Sequence, residues 1–361
     1  MKITERGRLR RSCLALAFAS SAALAATDNP PRPGPDTVAR FDAVLAGGLP
    51  ATIATGQPAG LRSAPGTPPP AEELTIRARL ASRATFSDGG AAELYDVRFR
   101  GGDAVAIRHG DSLRISSIDG QVLHTTAFTR GHELPVEAQT PLVDLPASES
   151  DALDEEPPRN PDELSADPVA DEGGPRDLHV LAFVHDDVVL DDDAVFERFF
   201  AWWVKRMEFD VLEDRRVHVH LRRTIPGLTD PSYGYKGALF HWARAVREYT
   251  DPDLPGSVGI RSMRNILLVK GREVEPRAAG IADHQPGSLA MASIAGSIVV
   301  PAHEIGHTMG ASHDHAERRF TGPFSTCDTI MYPVDPTVPC KAYSLPNVQL
   351  IRNTMRYKSG R

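Results

Sequence analysis

His303-Glu304-Ile305-Gly306-His307-Thr308-Met309-Gly310-Ala311-Ser312-His313-Asp314 is the stretch on which the reading of this 361-residue chain turns. His303 and His307 stand four apart, so on a helix their rings leave one face a turn apart and can share a metal ion. Gly310 suits the point where that helix stops, because a residue without Cβ enters the left-handed region without strain. The turn can then bring His313 back to the same ion from another direction. Three imidazoles leave one position open for solvent, the pattern of a catalytic zinc rather than a structural one. Glu304 projects to a neighbouring face, where a carboxylate can act on a water as general base and later return the proton as acid. A helix with incidental histidines, or a structural metal clip, is the bland alternative. A clip would normally close the fourth position with a further protein ligand, commonly Cys. Five fixed residues at this spacing arise by chance on the order of once in ten thousand chains.

Around this stretch, residues 178–361 alternate strand and helix patterns. Val180 to Val184 and Ile266 to Val269 are short apolar runs that fit buried strands. Val217 to Leu221 alternates, with His218 and His220 on one side. Asp191-Asp192-Asp193 opens a helix at its positive end, with Val195, Phe196, Phe199, Trp203 and Met207 as its apolar stripe. Leu239, Trp242, Val246 and Tyr249 mark a second amphipathic helix. The β-α-β-α-β order predicts an α/β domain on a mostly parallel twisted sheet with packed helices. Ser344, Pro346, Val348, Ile351 and Met355 predict a closing helix capped by Ser344.

The pattern H-E-x-x-H-x-x-G-x-x-H resembles the metzincin metallopeptidases, whose second signature is a methionine turn beneath the zinc. Ile330-Met331-Tyr332-Pro333 is similar to that turn, with Met331 seventeen residues past Asp314. The resemblance implies a metzincin-type catalytic domain at 178–361 and one catalytic Zn2+ on His303, His307 and His313. It also implies Glu304 as the base and Met331 as an apolar floor that packs without ligating. Asp314 resembles the adamalysin (reprolysin) group and the bacterial peptidyl-Asp metalloendopeptidases, while Met-Tyr-Pro is closer to matrixins. In astacins and serralysins a Tyr two residues after the Met approaches the zinc; Pro333 stands there in this chain. Gly280, Ile281 and Ala282 resemble the edge strand that pairs with an extended substrate.

Upstream, Lys2, Arg6, Arg8, Arg10 and Arg11 precede an apolar run to Ala26, and Ala23-Leu24-Ala25 fits a signal-peptidase site. Residues 1–25 therefore read as a signal for a secreted or periplasmic protein, and no further stretch reads as a membrane anchor. Cys13 leaves with the signal, and the remaining pair, Cys327 and Cys340, is expected to form a disulfide in an oxidising compartment. Residues 26–71 read as a Pro/Ala-rich linker. Residues 72–135 show alternation with turns at Ser87-Asp88-Gly89-Gly90 and Asp119-Gly120, predicting a small antiparallel β prodomain. Residues 136–177 read as an acidic, Pro-rich tether. From Asp144 to Asp177 twelve acidic residues face only Arg159 and Arg176, and this segment accounts for the net charge of −8. No basic field is present for nucleic acid.

A β domain on a tether before the catalytic domain resembles a propeptide, an intramolecular inhibitor of the same chain; the alternative is a carbohydrate- or protein-binding module that stays attached. Many metzincins block the zinc with a propeptide Cys, yet none lies between Ala26 and Pro301. Phe99-Arg100-Gly101-Gly102-Asp103 is one residue longer than the astacin-type aspartate motif, which makes Asp103 a latency candidate beside Asp111 and His109. Ca2+ at Asp191-Asp192-Asp193 is an option that no further residue supports. The expectation is a monomeric zinc endopeptidase acting on proteins or peptides. Two alternatives stay open: an exported binding protein with an inactive metallopeptidase domain, and a zinc amidohydrolase acting on a non-protein amide.

Overall fold

The structure is a computed structural model and describes residues 36–55, 72–132, 135–142, 177–213, 215–252, 254, 262–283, 288–322, 325–333 and 338–355. The signal and residues 143–176 of the tether lie outside the described residues. From Pro35 onward the chain is one compact unit.

Its centre is a buried parallel array. β8 (Leu178–Val184), β9 (Val217–Arg222), β10 (Met263–Val269) and β12 (Leu289–Ser293) run in the order β12-β10-β8-β9, and β11 (Gly280–Ala282) joins β12 antiparallel at the sheet's end. β8, β10 and β12 are largely apolar on both faces, as strands covered by helices on each side must be, whereas β9 carries His218, His220 and Arg222 on one of its faces. One face packs on the helical run from Asp192 to Val211, the histidine-bearing helix Val300–Thr308 and the C-terminal helix Leu345–Met355. The other packs on the helix Ala238–Glu248. The Asp192–Val211 run starts where expected, with the Asp191 side chain accepting from Ala194 N at 2.7 Å. Its α-helical turns alternate with two wider, π-type stretches, Phe196–Ala201 and Met207–Val211. Asp192 pairs with Arg223 and accepts from Ser87 N, and Asp193 lies 3.4 Å from His109 Nδ1. The acid triplet is thus taken up by capping and pairing, and among the described residues it forms no group of three or more potential ligands close enough to share an ion.

The β-rich half is a meander: β1 (Ala51–Thr55), β2 (Glu72–Thr85), β3 (Ala91–Phe99), β4 (Gly102–His109), β5 (Ser112–Asp119), β6 (Val122–Thr129) and β7 (Val136–Pro141). Two features differ from the sequence reading. The linker assigned to 26–71 holds the helix Thr37–Gly47 and β1, both docked on the meander. Asp36 caps that helix, and Val38 and Phe41 are fully buried, Phe41 edge-on to Tyr95 at 5.1 Å. The apolar spacing Val38, Phe41, Val44, Leu45 was masked by a Pro/Ala-rich composition around it. Likewise the tether begins later than 136, because β7 pairs with β6 through Pro141.

Nor is the β half a separate module. β2 is fourteen residues long; Glu72–Ile76 pairs with β1, and Arg83–Thr85 pairs in parallel with His218–His220 of β9. One twelve-stranded sheet therefore runs through both halves, mostly parallel at one end and antiparallel at the other. Among the described residues no helix is long and apolar enough to cross a membrane.

Candidate active site

The helix Val300–Thr308 is buried along its whole length, and His303, Glu304 and His307 are each 5 % exposed or less. It stops at Gly310 (φ 89°), where Gly310 N donates to His307 O and Ala311 N to Gly306 O at 3.0 Å. These two bonds are the paired closure of a Schellman motif, which needs a left-handed residue at that point. The chain turns, and a single 3-10 turn, His313–His315, carries the third imidazole back. The three Nε2 atoms lie 2.9, 3.0 and 3.1 Å from one another.

The outer ring nitrogens decide what that triangle can be. His303 Nδ1 donates to Ile330 O at 2.6 Å and His307 Nδ1 to Ala311 O at 3.1 Å, since a carbonyl can only accept. Neutral rings with the proton on Nδ1 present Nε2 lone pairs inward, and lone pairs at this separation repel unless a cation lies between them. The donor set, three imidazoles and no thiolate, suits Zn2+. Among the described residues these histidines form the one group of three or more potential ligands close enough to share an ion.

Glycines set the approach of the surrounding parts. A Cβ on Gly280 would stand 2.2 Å from Glu304 Oε1, so β11 passes against the carboxylate only because Gly280 has none. A Cβ on Gly306 would stand 2.7 Å from Met331 Sδ and 2.9 Å from Tyr343 Cε1. The fully buried Met331 thereby lies against the histidine helix. Cys327, on β14 (Ser325–Asp328), the partner of β13 (Arg318–Gly322), is disulfide-bonded to Cys340, whose neighbour Pro339 forms an isolated bridge with Asp328.

Three further groups position these parts, and two of them, Asn347 and Tyr343, were not legible beforehand. Asn347, fully buried on the C-terminal helix, accepts from Ser312 N at 2.9 Å and donates to Ser312 O at 3.0 Å, clamping the residue before His313. Ser344, read from sequence as the cap of that helix, accepts from Asn347 N and also donates to His315 O. Tyr343 donates to Ala302 O at 2.6 Å and receives Trp203 Nε1–H at 3.2 Å, tying the histidine helix to the Asp192–Val211 run; burial pushes its phenol well above the usual value. The available signal was Asn347 standing four and eight residues before Ile351 and Met355, a polar residue in an apolar stripe.

Of the latency candidates, Asp103 lies on β4 and pairs with Arg77 and Lys205, Asp111 pairs with Arg130, and His109 is edge-on to Phe86; none of the three belongs to the histidine group that could share an ion.

Compared with known proteins, the sequence matches no protein-family model and no curated protein. The fold is similar to a solved structure, metalloproteinase-II from Bacteroides fragilis, with a TM-score of 0.54 and 14 % identity. That similarity covers 87 % of this chain and 94 % of the other, so it takes in the β half as well as the histidine half. The chain has a metallopeptidase-like fold.

Proposed function

We propose that this chain is an exported zinc-dependent endopeptidase of the metzincin type, nearest the adamalysin-like bacterial group, made as a precursor. One observation carries the reading: three Nε2 atoms within 3.1 Å of each other, two with their protons committed to backbone carbonyls on the far side. His303, His307 and His313 would hold the zinc, which when bound supplies Lewis acidity toward water and a peptide carbonyl. Glu304 takes the proton of the attacking water and delivers it to the leaving amine. Its burial behind β11 limits stray solvent around the carboxylate. β11, last in the strand order, supports pairing of an extended substrate along Gly280, Ile281 and Ala282, which favours a polypeptide over a small amide.

Digestion of a peptide library with and without a chelator tests this. Internal cleavage that the chelator abolishes and zinc restores is the expected result. A chain that binds zinc yet cuts no peptide would overturn the proposal.

A further inference from the structure

The sequence leaves open whether the β half departs as a propeptide or stays attached, and its contact with the catalytic half bears on that choice. Backbone pairing crosses the seam at Arg83–Thr85 with His218–His220. Ser82 Oγ accepts from Val217 N at 2.8 Å, and the Glu208 carboxylate accepts from Ala81 N and Ser82 N at 2.8 and 2.9 Å. The apolar core is common to both sides. Phe86, 2 % exposed, meets Phe196 at 6.0 Å, and Leu80, Leu94, Ile107 and Leu123 belong to the same cluster as Phe199, Trp203 and Ile305.

Charges are buried across the same seam. Glu197, with a side chain 3 % exposed, pairs with Arg114 at 2.7 Å. Lys205, 10 % exposed, pairs with Asp96 at 2.7 Å and Asp103 at 2.8 Å. At the far end, Leu142 O accepts from Ile298 N at 3.1 Å, two residues before the active-site helix. Removing residues 36–142 would uncover the edge of β9, the ring of Phe196 and the buried carboxylate of Glu197 together. An open strand edge, a bared apolar face and an unpaired buried charge each disfavour a catalytic half standing alone.

We infer that the β half is a resident partner of the catalytic half: hydrolysis within residues 143–176 yields two chains that stay docked through the shared sheet and core. The inference does not depend on the peptidase reading, because its test uses an outside protease and no activity measurement.

The recognition sequence of a specific protease is inserted between Glu156 and Pro161 of the full chain carrying Glu304→Gln, and the protein is cut to completion. Both fragments should co-elute in equal amounts at the volume of the uncut chain, and part only in denaturant. Fragments that separate in native buffer, with a folded monomeric catalytic piece, would overturn the inference. The same cut chain carrying Arg114→Ala should come apart at a concentration at least about tenfold higher, since a buried carboxylate loses its partner. Retention unaffected by that change would mean that the seam described here is not what holds the pieces.

Discussion

The histidine site and the β2–β9 seam are assembled over opposite ranges of sequence. Around the histidines, the three imidazoles and the turn that aims them lie within eleven residues, while the carbonyl of Ile330 and the side chain of Asn347 reach in from farther along the chain. At the seam the partners are 83, 102, 126 and 135 residues apart, and no local pattern announces them. A site can therefore be written in one short segment while the body that holds it is a composite of distant ones.

The largest effect belongs to the local region. Glu304→Gln should lower peptide hydrolysis by about 10²- to 10⁴-fold while one zinc per chain is retained by elemental analysis. Retained hydrolysis would make Glu304 a structural residue and move the base elsewhere. At the seam, Phe86→Ala should destabilise the whole chain by about 3 to 5 kcal/mol in denaturant melts, with a single transition. Two transitions, with only the earlier one shifted, would split the composite into independent domains.

Between these lies the clamp on the third histidine. Asn347→Ala removes both bonds to Ser312 without touching a ligand. Zinc affinity, followed by competition with a chelator, should fall about tenfold, the usual cost of losing support for a ligand. Unchanged affinity would show that the turn at Gly310 alone aims His313, making the site more local still.

What sequence could show divides along the same line. The stop at Gly310, the cap at Ser344 and the β-α-β-α-β order follow from short-range patterns and were legible, whereas Met331 as a floor was implied by the metzincin resemblance alone. The helix Thr37–Gly47 was hidden by the composition of its flanks. The union of β2 with β9 was unreadable for a deeper reason: strand pairing is specified by two edges meeting in three dimensions, and alternation gives a strand's faces but not its neighbour. Asn347 fell between the two cases, its oddity visible and its partner not.

The seam also carries buried imidazoles. His179 and His220 stack on β8 and β9 with His179 Nδ1 3.1 Å from His220 Nε2. Burial, reinforced by the facing imidazoles and, for His220, Arg222, holds both rings neutral, His220 down to about 3 and His179 to about 4, against partial opposition from Asp251 and Asp177. Arg83 of β2 stands opposite His218 in the register. The unfolded chain takes up protons near pH 6.5 that the folded chain refuses, so this contribution is complete above that pH and is lost as pH falls toward 4 and 3. From pH 7 to 6 the two should together cost about 1.4 kcal/mol of stability. His220→Phe should remove about half of that slope; an equal slope in the variant would place the acid sensitivity away from the seam.

The smallest effect separates the two regions most cleanly. If Asp103 belonged to the site, as a latency ligand would, Asp103→Asn in the uncut chain would raise its hydrolysis of a peptide. Its placement on β4, 55 % exposed and paired with Lys205 and Arg77, assigns it to the rim of the seam instead. An ion pair exposed to that degree is worth less than about 1 kcal/mol, because solvent screens it and two long side chains must be ordered to make it. Asp103→Asn should therefore leave the hydrolysis rate at the parental level and shift the denaturation midpoint only slightly. A rise in activity on this one change would mean that a carboxylate of the β half reaches the histidines, and the separation between local site and distant seam would fail at that residue.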